Sequence, residues 1–315
     1  MKKILSIFLV VLISLGLVIG CSNNNESNSK NNGGAENKSE TAEKVKLTIG
    51  VMPAVDTAPI FIAAQKGYFD EAGLEVDVQI YRNANDRQSA LQSGQLDGTM
   101  TDIIALINNV EGGFDIKATT LTDGAFPILV NPNFDENSKN TKVGLMEVSV
   151  TNYLADEFLG EKYDMEKIFI TPIPDRMEML KSGQLDMSVF PEPIATNGEL
   201  QGLKKLTFEA KNTPDVMVFT GKALSEKSDA IKGFHDAFNK AVKDIKADEN
   251  IAREILVEKL ELDPAVKDKM TLPKYDEARV PSKEFVEEVS EWVKNVTKKD
   301  VTVTYEQIVE DKYVK

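Results

Sequence analysis

The chain has 315 residues, of which 51 are acidic and 37 are basic, so its formal net charge at pH 7 is −14. This acidic balance gives no electrostatic case for a nucleic-acid partner, and a single cysteine excludes both a disulfide framework and a cysteine-rich metal site. The length is sufficient for a body of two lobes.

The N-terminus has the composition of a signal peptide. Two lysines, Lys2 and Lys3, precede an apolar run at Ile4–Ile19, which is short for a membrane-spanning helix. Gly20 then places a small residue directly before Cys21, the pattern of a lipobox. We therefore predict a signal peptide at 1–20 and lipidation of Cys21, with an ordinary signal peptide or a membrane anchor as the alternatives.

A low-complexity segment follows the cysteine. Residues 21–44 are rich in Asn, Ser, Glu, Lys and Gly and carry few apolar side chains, so burial cannot offset the entropy of ordering them. We predict a disordered tether that holds the folded body at the outer face of the cell membrane through the lipid on Cys21.

Strands and helices then alternate along the chain. Val45–Met52 and Leu74–Ile80 alternate apolar and polar residues, as strands do, and helical spacing appears between them at Pro59–Lys66. Further strands are predicted at Leu96–Met100, Phe114–Leu121, Lys142–Met146, Lys167–Thr171 and Met187–Phe190, and crossing strands at Phe126–Val130 and Val216–Thr220. Further helices are predicted at 86–94, Ile103–Val110, Val150–Leu159, 175–183 and Ile194–Gln201, and in most of the chain after Ser225.

A twelve-residue segment occurs twice, 89 residues apart. Asp86–Asp97 reads DRQSALQSGQLD and Asp175–Asp186 reads DRMEMLKSGQLD, with eight identical positions. Two copies are too few for a solenoid and indicate two similar lobes. With the alternating elements, the repeat predicts an α/β fold whose lobes each contain a mainly parallel sheet flanked by helices. The first lobe is predicted to comprise 45–125 plus about 221–315, and the second about 126–220 with the crossing strands.

The loops after the strands are the predicted ligand site. In sheets of this kind, ligands bind beyond the carboxyl ends of the strands. The candidate ligand-binding residues in these loops are Asp56, Thr57, Thr101, Asp102, Asp123, Ser149, Thr151 and Glu192. For Thr57, Asp102, Ser149 and Thr151, capping of a helix start is the open alternative. No metal site and no cofactor is predicted.

Three segments carry a resemblance to a known family. Gly67-Tyr68-Phe69 followed by Gly73-Leu74, the Ser93–Asp97 stretch, and Leu185–Pro193 ending in Pro-Glu-Pro resemble the nitrate/sulfonate/taurine-type substrate-binding proteins, a group that includes bacterial relatives of yeast thiamine-pyrimidine synthase. The match runs from about Val45 through Phe219. It implies a type II periplasmic-binding-protein-like fold of two lobes that close on a small molecule, and a monomeric, lipid-anchored receptor that delivers its ligand to an ABC transporter permease.

Two other functions stay open at this stage. The fungal thiamine-pyrimidine relatives are enzymes that use His and Cys chemistry, but the sole histidine, His235, is distant in sequence from the ligand loops. We therefore predict a receptor and no enzyme. The second alternative is a surface adhesin.

The charges of the loops make a prediction about the ligand. The loops contain acids and no arginine or lysine, which favours a neutral or amine-bearing ligand held by Asp102 and Glu192. Arg82 and Arg87 follow the second strand and could supply a base. Arg87 and Arg176 occupy matching places in the two repeats, and we predict that they pair with Asp86 and Asp175 at the helix starts.

Overall fold

The computed structural model describes residues 43–208 and 213–314. The predicted signal peptide at 1–20, the predicted lipidation site Cys21 and residues 21–42 of the predicted tether lie outside the described residues. No helix within the two described ranges is long and apolar enough to cross a membrane.

The strands of the described chain form two five-stranded sheets. They are β1 (Val45–Val51), β2 (Leu74–Ile80), β3 (Gly98–Asp102), β4 (Ile116–Leu121), β5 (Ile128–Val130), β6 (Asn140–Leu145), β7 (Asp164–Phe169), β8 (Met187–Val189), β9 (Lys204–Leu206) and β10 (Asp215–Thr220). The strand order is β2-β1-β3-β10-β4 in the first sheet and β7-β6-β8-β5-β9 in the second.

Each sheet contains one strand that pairs antiparallel with both of its neighbours. β10 follows the second lobe in sequence but pairs antiparallel with β3 and β4 of the first sheet. β5 pairs antiparallel with β8 and β9 of the second sheet. The remaining pairs, such as β1 with β2 and β6 with β7, are parallel. The prediction of two α/β lobes is confirmed, with sheets that are mixed.

Helices cover both faces of the sheets. They are α1 (Ala58–Gln65), α2 (Tyr68–Glu71), α3 (Ala84–Gln92), α4 (Ile103–Glu111), α5 (Val150–Leu159), α6 (Ile173–Lys181), α7 (Ile194–Leu200), α8 (Gly221–Glu226), α9 (Ser228–Ala247), α10 (Asn250–Lys259), α11 (Lys283–Thr297) and α12 (Tyr305–Ile308). The C-terminal helices thus pack with the first lobe: α9 and α10 contact α1, and α11 contacts α4.

Strands β3 and β7 lie furthest from their predicted bounds, and strand β9 was missed. β3 begins two residues later than predicted because Asp97 belongs to a turn, where its carboxylate accepts a hydrogen bond from Thr48 N at 2.9 Å. β7 lies at Asp164–Phe169 instead of Lys167–Thr171, because its parallel register starts from Asn140 opposite Asp164. β9 has three residues and no clear alternation, so the sequence pattern did not reveal it.

The repeat performs the same structural task in both lobes. Asp97 bonds to the backbone of Thr48 through its own N–H and its carboxylate, and Asp186 does the same with Lys142. Gly94 and Gly183 both have φ near +75°, a conformation that costs little only for glycine. Each copy therefore ends its helix and fastens the next turn to the neighbouring strand.

The equivalence continues beneath the repeat. Thr99 and Ser188 each donate a hydroxyl hydrogen bond to a carbonyl of the neighbouring strand, at Gly50 and Gly144, over 2.7 Å in both lobes. A Cβ at either glycine would clash with a leucine of the repeat. Ile49-Gly50-Val51-Met52 and Val143-Gly144-Leu145-Met146 are therefore equivalent segments, and the repeat leucines Leu96 and Leu185 pack on their glycines.

His235 lies on α9 and is completely buried. It is 2.8 Å from the carbonyl of Ile231, and its ring stacks on Tyr313. Burial lowers the pKa of His235 to about 4, because desolvation disfavours the imidazolium.

Protonation of His235 is expected to destabilise the fold in acid. The folded-state pKa lies below the ordinary 6.5, so the unfolded chain binds the proton first as the pH falls. The neutral His235 ring contributes fully to the free energy of unfolding above pH 6.5. This contribution falls by about 3 kcal/mol in all as the pH is lowered towards 4. Urea unfolding of the wild type and of His235→Gln across this window measures it. An equally steep pH dependence in both proteins would contradict the prediction.

Candidate functional site

A cavity of about 460 Å³ lies between the two sheets, beyond the carboxyl ends of their strands. Loops after β1 and β3 form one wall, and loops after β6 and β7 form the other. The polar and charged residues among those that line it are Asp56, Thr57, Arg82, Asn83, Asn85, Arg87, Thr101, Asp102, Ser149, Thr151, Thr171, Arg176 and Asp215. Both lobes therefore contribute to one cavity of the size that accepts a small organic ligand.

Six of the eight predicted site residues line this cavity. They are Asp56, Thr57, Thr101, Asp102, Ser149 and Thr151. Residues 56–102 and 149–151, which are distant in sequence, thus supply side chains to one cavity beyond the carboxyl ends of the strands. That they contact a ligand stays a prediction.

Several of these side chains also have local tasks. Asp102 caps α4 by accepting a hydrogen bond from Ala105 N at 2.8 Å, and Ser149 caps α5 by accepting one from Asn152 N. Ser149 and Thr151 share a hydrogen bond of 2.9 Å between their hydroxyls. Thr57 donates to the carbonyl of Ala54 and makes no side-chain cap. A cap leaves further acceptor capacity, so capping and ligand contact are compatible here.

Asp123 does not line this cavity and instead lines a second one. Its carboxylate forms an ion pair with Arg279 at 2.5 Å and accepts a hydrogen bond from Asp276 N. These residues line a second cavity, of about 560 Å³, beside the segments that cross between the lobes. Phe126 lines both cavities and separates them. The sequence placed Asp123 correctly after β4 but could not show that an arginine far along the chain pairs with it.

Glu192 also does not line the ligand cavity. Its carboxylate accepts hydrogen bonds from Thr196 N and from Thr271 N, each over 3.0 Å, and pairs with Lys205 at 3.1 Å. Its side chain has no exposed surface. The sequence interpretation saw no local task for this acid, but it bonds the start of α7 and joins it to the C-terminal part of the chain.

The cavity contains arginines, and Arg82 and Arg87 are the two that the sequence offered as possible bases. Arg82, Arg87 and Arg176 all line the cavity. Arg87 donates to the hydroxyl of Thr101 at 3.0 Å, and Arg176 donates to the carbonyl of Ile170 at 3.1 Å. The predicted pairing of these arginines with Asp86 and Asp175 is wrong, because each guanidinium points inward, past the strand ends. The repeat itself was the signal: its second residue is an arginine in both copies.

Three carboxylates gather at the first-lobe end of the cavity. Burial raises the pKa of Asp56 to about 6, raises that of Asp102, and raises the pKa of Asp215 well above its ordinary value. Neighbouring acids add to the effect on Asp215, and the charge of Arg87 opposes the effect on Asp56 and Asp102. The sequence analysis missed Asp215 because it begins a strand instead of following one.

Histidine and metal-ligand clusters are the remaining groups to place relative to this cavity. His235 does not line it, and no group of three His, Cys, Asp or Glu residues within 43–208 and 213–314 could hold a metal ion.

Comparison with known proteins agrees with this geometry. Residues 40–134 match the model of the NMT1-like family. A Brachyspira hyodysenteriae protein named as an ABC transporter periplasmic binding protein is 21% identical over 284 residues, covering 82% of this chain and 79% of that protein.

Solved structures show the fold. The ligand-binding component of an ABC-type import system from Staphylococcus aureus, solved with zinc bound, has a TM-score of 0.72 at 18% identity, covering 86% of this chain and 98% of that one. This chain has the periplasmic-binding-protein fold. The Escherichia coli aliphatic sulphonate binding protein SsuA has a TM-score of 0.69 at 16% identity, covering 86% of this chain and 99% of SsuA.

The periplasmic-binding-protein fold also occurs in an enzyme. The desulfurization enzyme DSZB has a TM-score of 0.61 at 12% identity, covering 86% of this chain and 97% of that one. The fold alone therefore does not separate a receptor from an enzyme.

Proposed function

We propose that this chain is the substrate-binding component of an ABC importer and captures a small polar molecule between its lobes. The observation that carries the proposal is the single cavity lined from both sheets at their strand ends. Similarity to an ABC transporter periplasmic binding protein supports it. The polar groups of the cavity include three helix caps and three arginines, which suit binding, and among the described residues that line it no nucleophile is paired with a neighbouring base.

Ligand binding is coupled to closure of the lobes in this proposal. The chain passes between the two sheets at Thr122–Pro127, between β4 and β5, and at Thr213–Pro214, before β10, and the hinge is expected in these connections. A ligand that contacts both lobes binds the closed form more tightly and shifts the equilibrium towards it. The closed form is the one that a permease would recognise.

The proposal includes a membrane anchor. Lipidation of Cys21 would hold a monomeric receptor at the outer face of the cell membrane, and residues up to Lys44 would give it reach to the permease. The lone cysteine directly after a small residue supports this, as does the apolar run before it.

Deletion of the chain tests the function. The molecule released from the gently denatured protein is identified by mass spectrometry, and cells that lack the chain are expected to lose uptake of that molecule. Its addition to stripped protein should reduce the radius of gyration in X-ray scattering. Unchanged uptake would overturn the receptor, loss of attachment instead would indicate the adhesin, and turnover of the molecule would indicate the enzyme.

A further inference from the structure

Two buried arginines occupy equivalent positions in the two lobes and both line the ligand cavity. Arg87 is 8% exposed and Arg176 is 2% exposed. The Nε atom of each has no hydrogen-bond partner. Within the described ranges no carboxylate lies within 4.0 Å of either guanidinium. Donors buried in this way are costly unless a partner arrives, so both arginines indicate a ligand with acceptor groups.

The surroundings of the two arginines differ. Burial lowers the pKa of Arg176 to about 10, and no acid of the described residues opposes this effect. Its guanidinium lies over the ring of Phe190, with 5.5 Å between Cζ and the ring centroid. The second-lobe end of the cavity thus holds a cation whose charge the protein leaves uncompensated, and an anionic group of the ligand would compensate it.

The first-lobe end has the opposite character. Arg87 lies in the field of Asp56, Asp102 and Asp215, which all act to raise its pKa against the effect of burial. The carboxylate of Asp56 accepts a hydrogen bond from the hydroxyl of Thr122, and the carboxylate of Asp102 caps α4. The Oδ2 atom of Asp215 is buried without a hydrogen-bond partner. This end therefore has three acids, the buried Arg87 and the exposed Arg82, and Oδ2 of Asp215 is left as a free acceptor that suits a ligand donor.

The wall between the two ends is largely apolar. Met52, Met100, Phe126, Met146, Ile173 and Ile194 line it. Methionine side chains adapt to irregular apolar shapes, and the volume of about 460 Å³ is far larger than a single oxyanion needs.

We propose that the ligand is an organic zwitterion whose acidic group binds Arg176, whose protonated nitrogen binds Asp215 and Asp56, and whose apolar body spans the methionine-lined wall. This rests on the proposed function, since it takes the cavity as the receptor's ligand site. It retains the amine end expected from the sequence and adds the acidic end that the loops did not reveal.

Matched probes test the polarity of the cavity. Stripped and refolded protein is titrated by calorimetry with ε-aminocaproate, caproate and hexylamine, which share one chain and differ in their end groups. We expect ε-aminocaproate to bind at least about 10-fold more tightly than either single-ended probe. Equal binding of the three, tighter binding of a single-ended probe, or no binding of any overturns the proposal.

Variants assign the ends. Arg176→Gln should weaken ε-aminocaproate about 30-fold or more and leave hexylamine unchanged, because only the acidic end loses its partner. Asp215→Asn should weaken hexylamine and leave caproate unchanged. If the glutamine variant fails to fold, Arg176→Lys changes the shape of the group and retains its charge. The control is Lys298→Gln, which removes a positive charge at the residue that ends α11, outside the cavity.

The chemistry of the released molecule gives an independent reading. A molecule that carries both an acid and a basic nitrogen supports the proposal, and one that lacks either group overturns it. In that second case, loss of its uptake on deletion would still leave the receptor function standing. Unchanged uptake would instead remove the receptor function itself, so the two failures are distinguishable.

Discussion

Glu192→Ala is expected to lower the free energy of unfolding by about 3–5 kcal/mol, because it leaves the ammonium of Lys205 buried without its main partner. The carboxylate is fully buried, and the side chain of Lys205 is 6% exposed. Three further donors, from Thr196 and Thr271, lose their acceptor at the same time. Urea unfolding measures the change.

Matched variants separate the charge from the hydrogen bonds at this position. Glu192→Gln keeps an acceptor for Thr196 and should cost less than the alanine. The other acid beside Lys205 is Glu199, whose side chain is one third exposed. Glu199→Gln should therefore change the free energy of unfolding by less than about 1 kcal/mol. A loss below about 1 kcal/mol for Glu192→Ala would show that the buried pair contributes little.

Binding by the same variants distinguishes the structural role from the sequence-based one. Glu192 lies outside the cavity, whereas the sequence analysis expected it to hold the ligand. Folded Glu192→Gln should therefore retain affinity for the released molecule within a few fold. A large loss of affinity at unchanged stability would return Glu192 to the binding site.

Cys21→Ala is expected to move the protein from the membrane fraction to the soluble fraction, or to leave an uncleaved precursor. The alanine side chain has no sulfur to acylate, and stable anchoring needs two lipid chains or their equivalent. Fractionation together with intact-mass measurement of the N-terminus follows both outcomes. Ser22→Ala, one residue along, is the control and should stay at the membrane. Equal retention of a correctly cleaved, unacylated form would contradict lipidation.

The sequence predicted the elements well where a pattern repeated. The two twelve-residue segments located both α3 and α6 and indicated the two lobes, because each must end its helix at a glycine and bind the neighbouring strand through an aspartate. The strand-end rule then placed six of eight site residues around one cavity. Both successes depend on contacts that are close in sequence or follow from parallel strand order.

The failures involve partners that are distant along the chain. Glu192 meets Thr271, and Asp123 meets Arg279, over separations that no spacing reveals. Arg87 and Arg176 were predicted to pair with the adjacent Asp86 and Asp175, but their observed partners are Thr101 and the carbonyl of Ile170. The ligand charge was inferred from the loops, with Arg82 and Arg87 as the only candidate bases, so the contribution of Arg176 to the cavity was missed.

The position of β10 has a consequence for folding during synthesis. Within the first sheet β4 has no strand neighbour other than β10, which is made only after the whole second sheet. The second sheet is built from the continuous stretch Ile128–Leu206 and can close on itself as it emerges. The pairing of β10 with β3 and β4 joins strands that are distant along the chain, and the entropy of closing that long loop is lost before the pairing stabilises the sheet. The lobe whose first strands are synthesised first is therefore completed last. Until then the edge of β3 stays open, so a nascent chain is most vulnerable to mispairing while its second half is already in place.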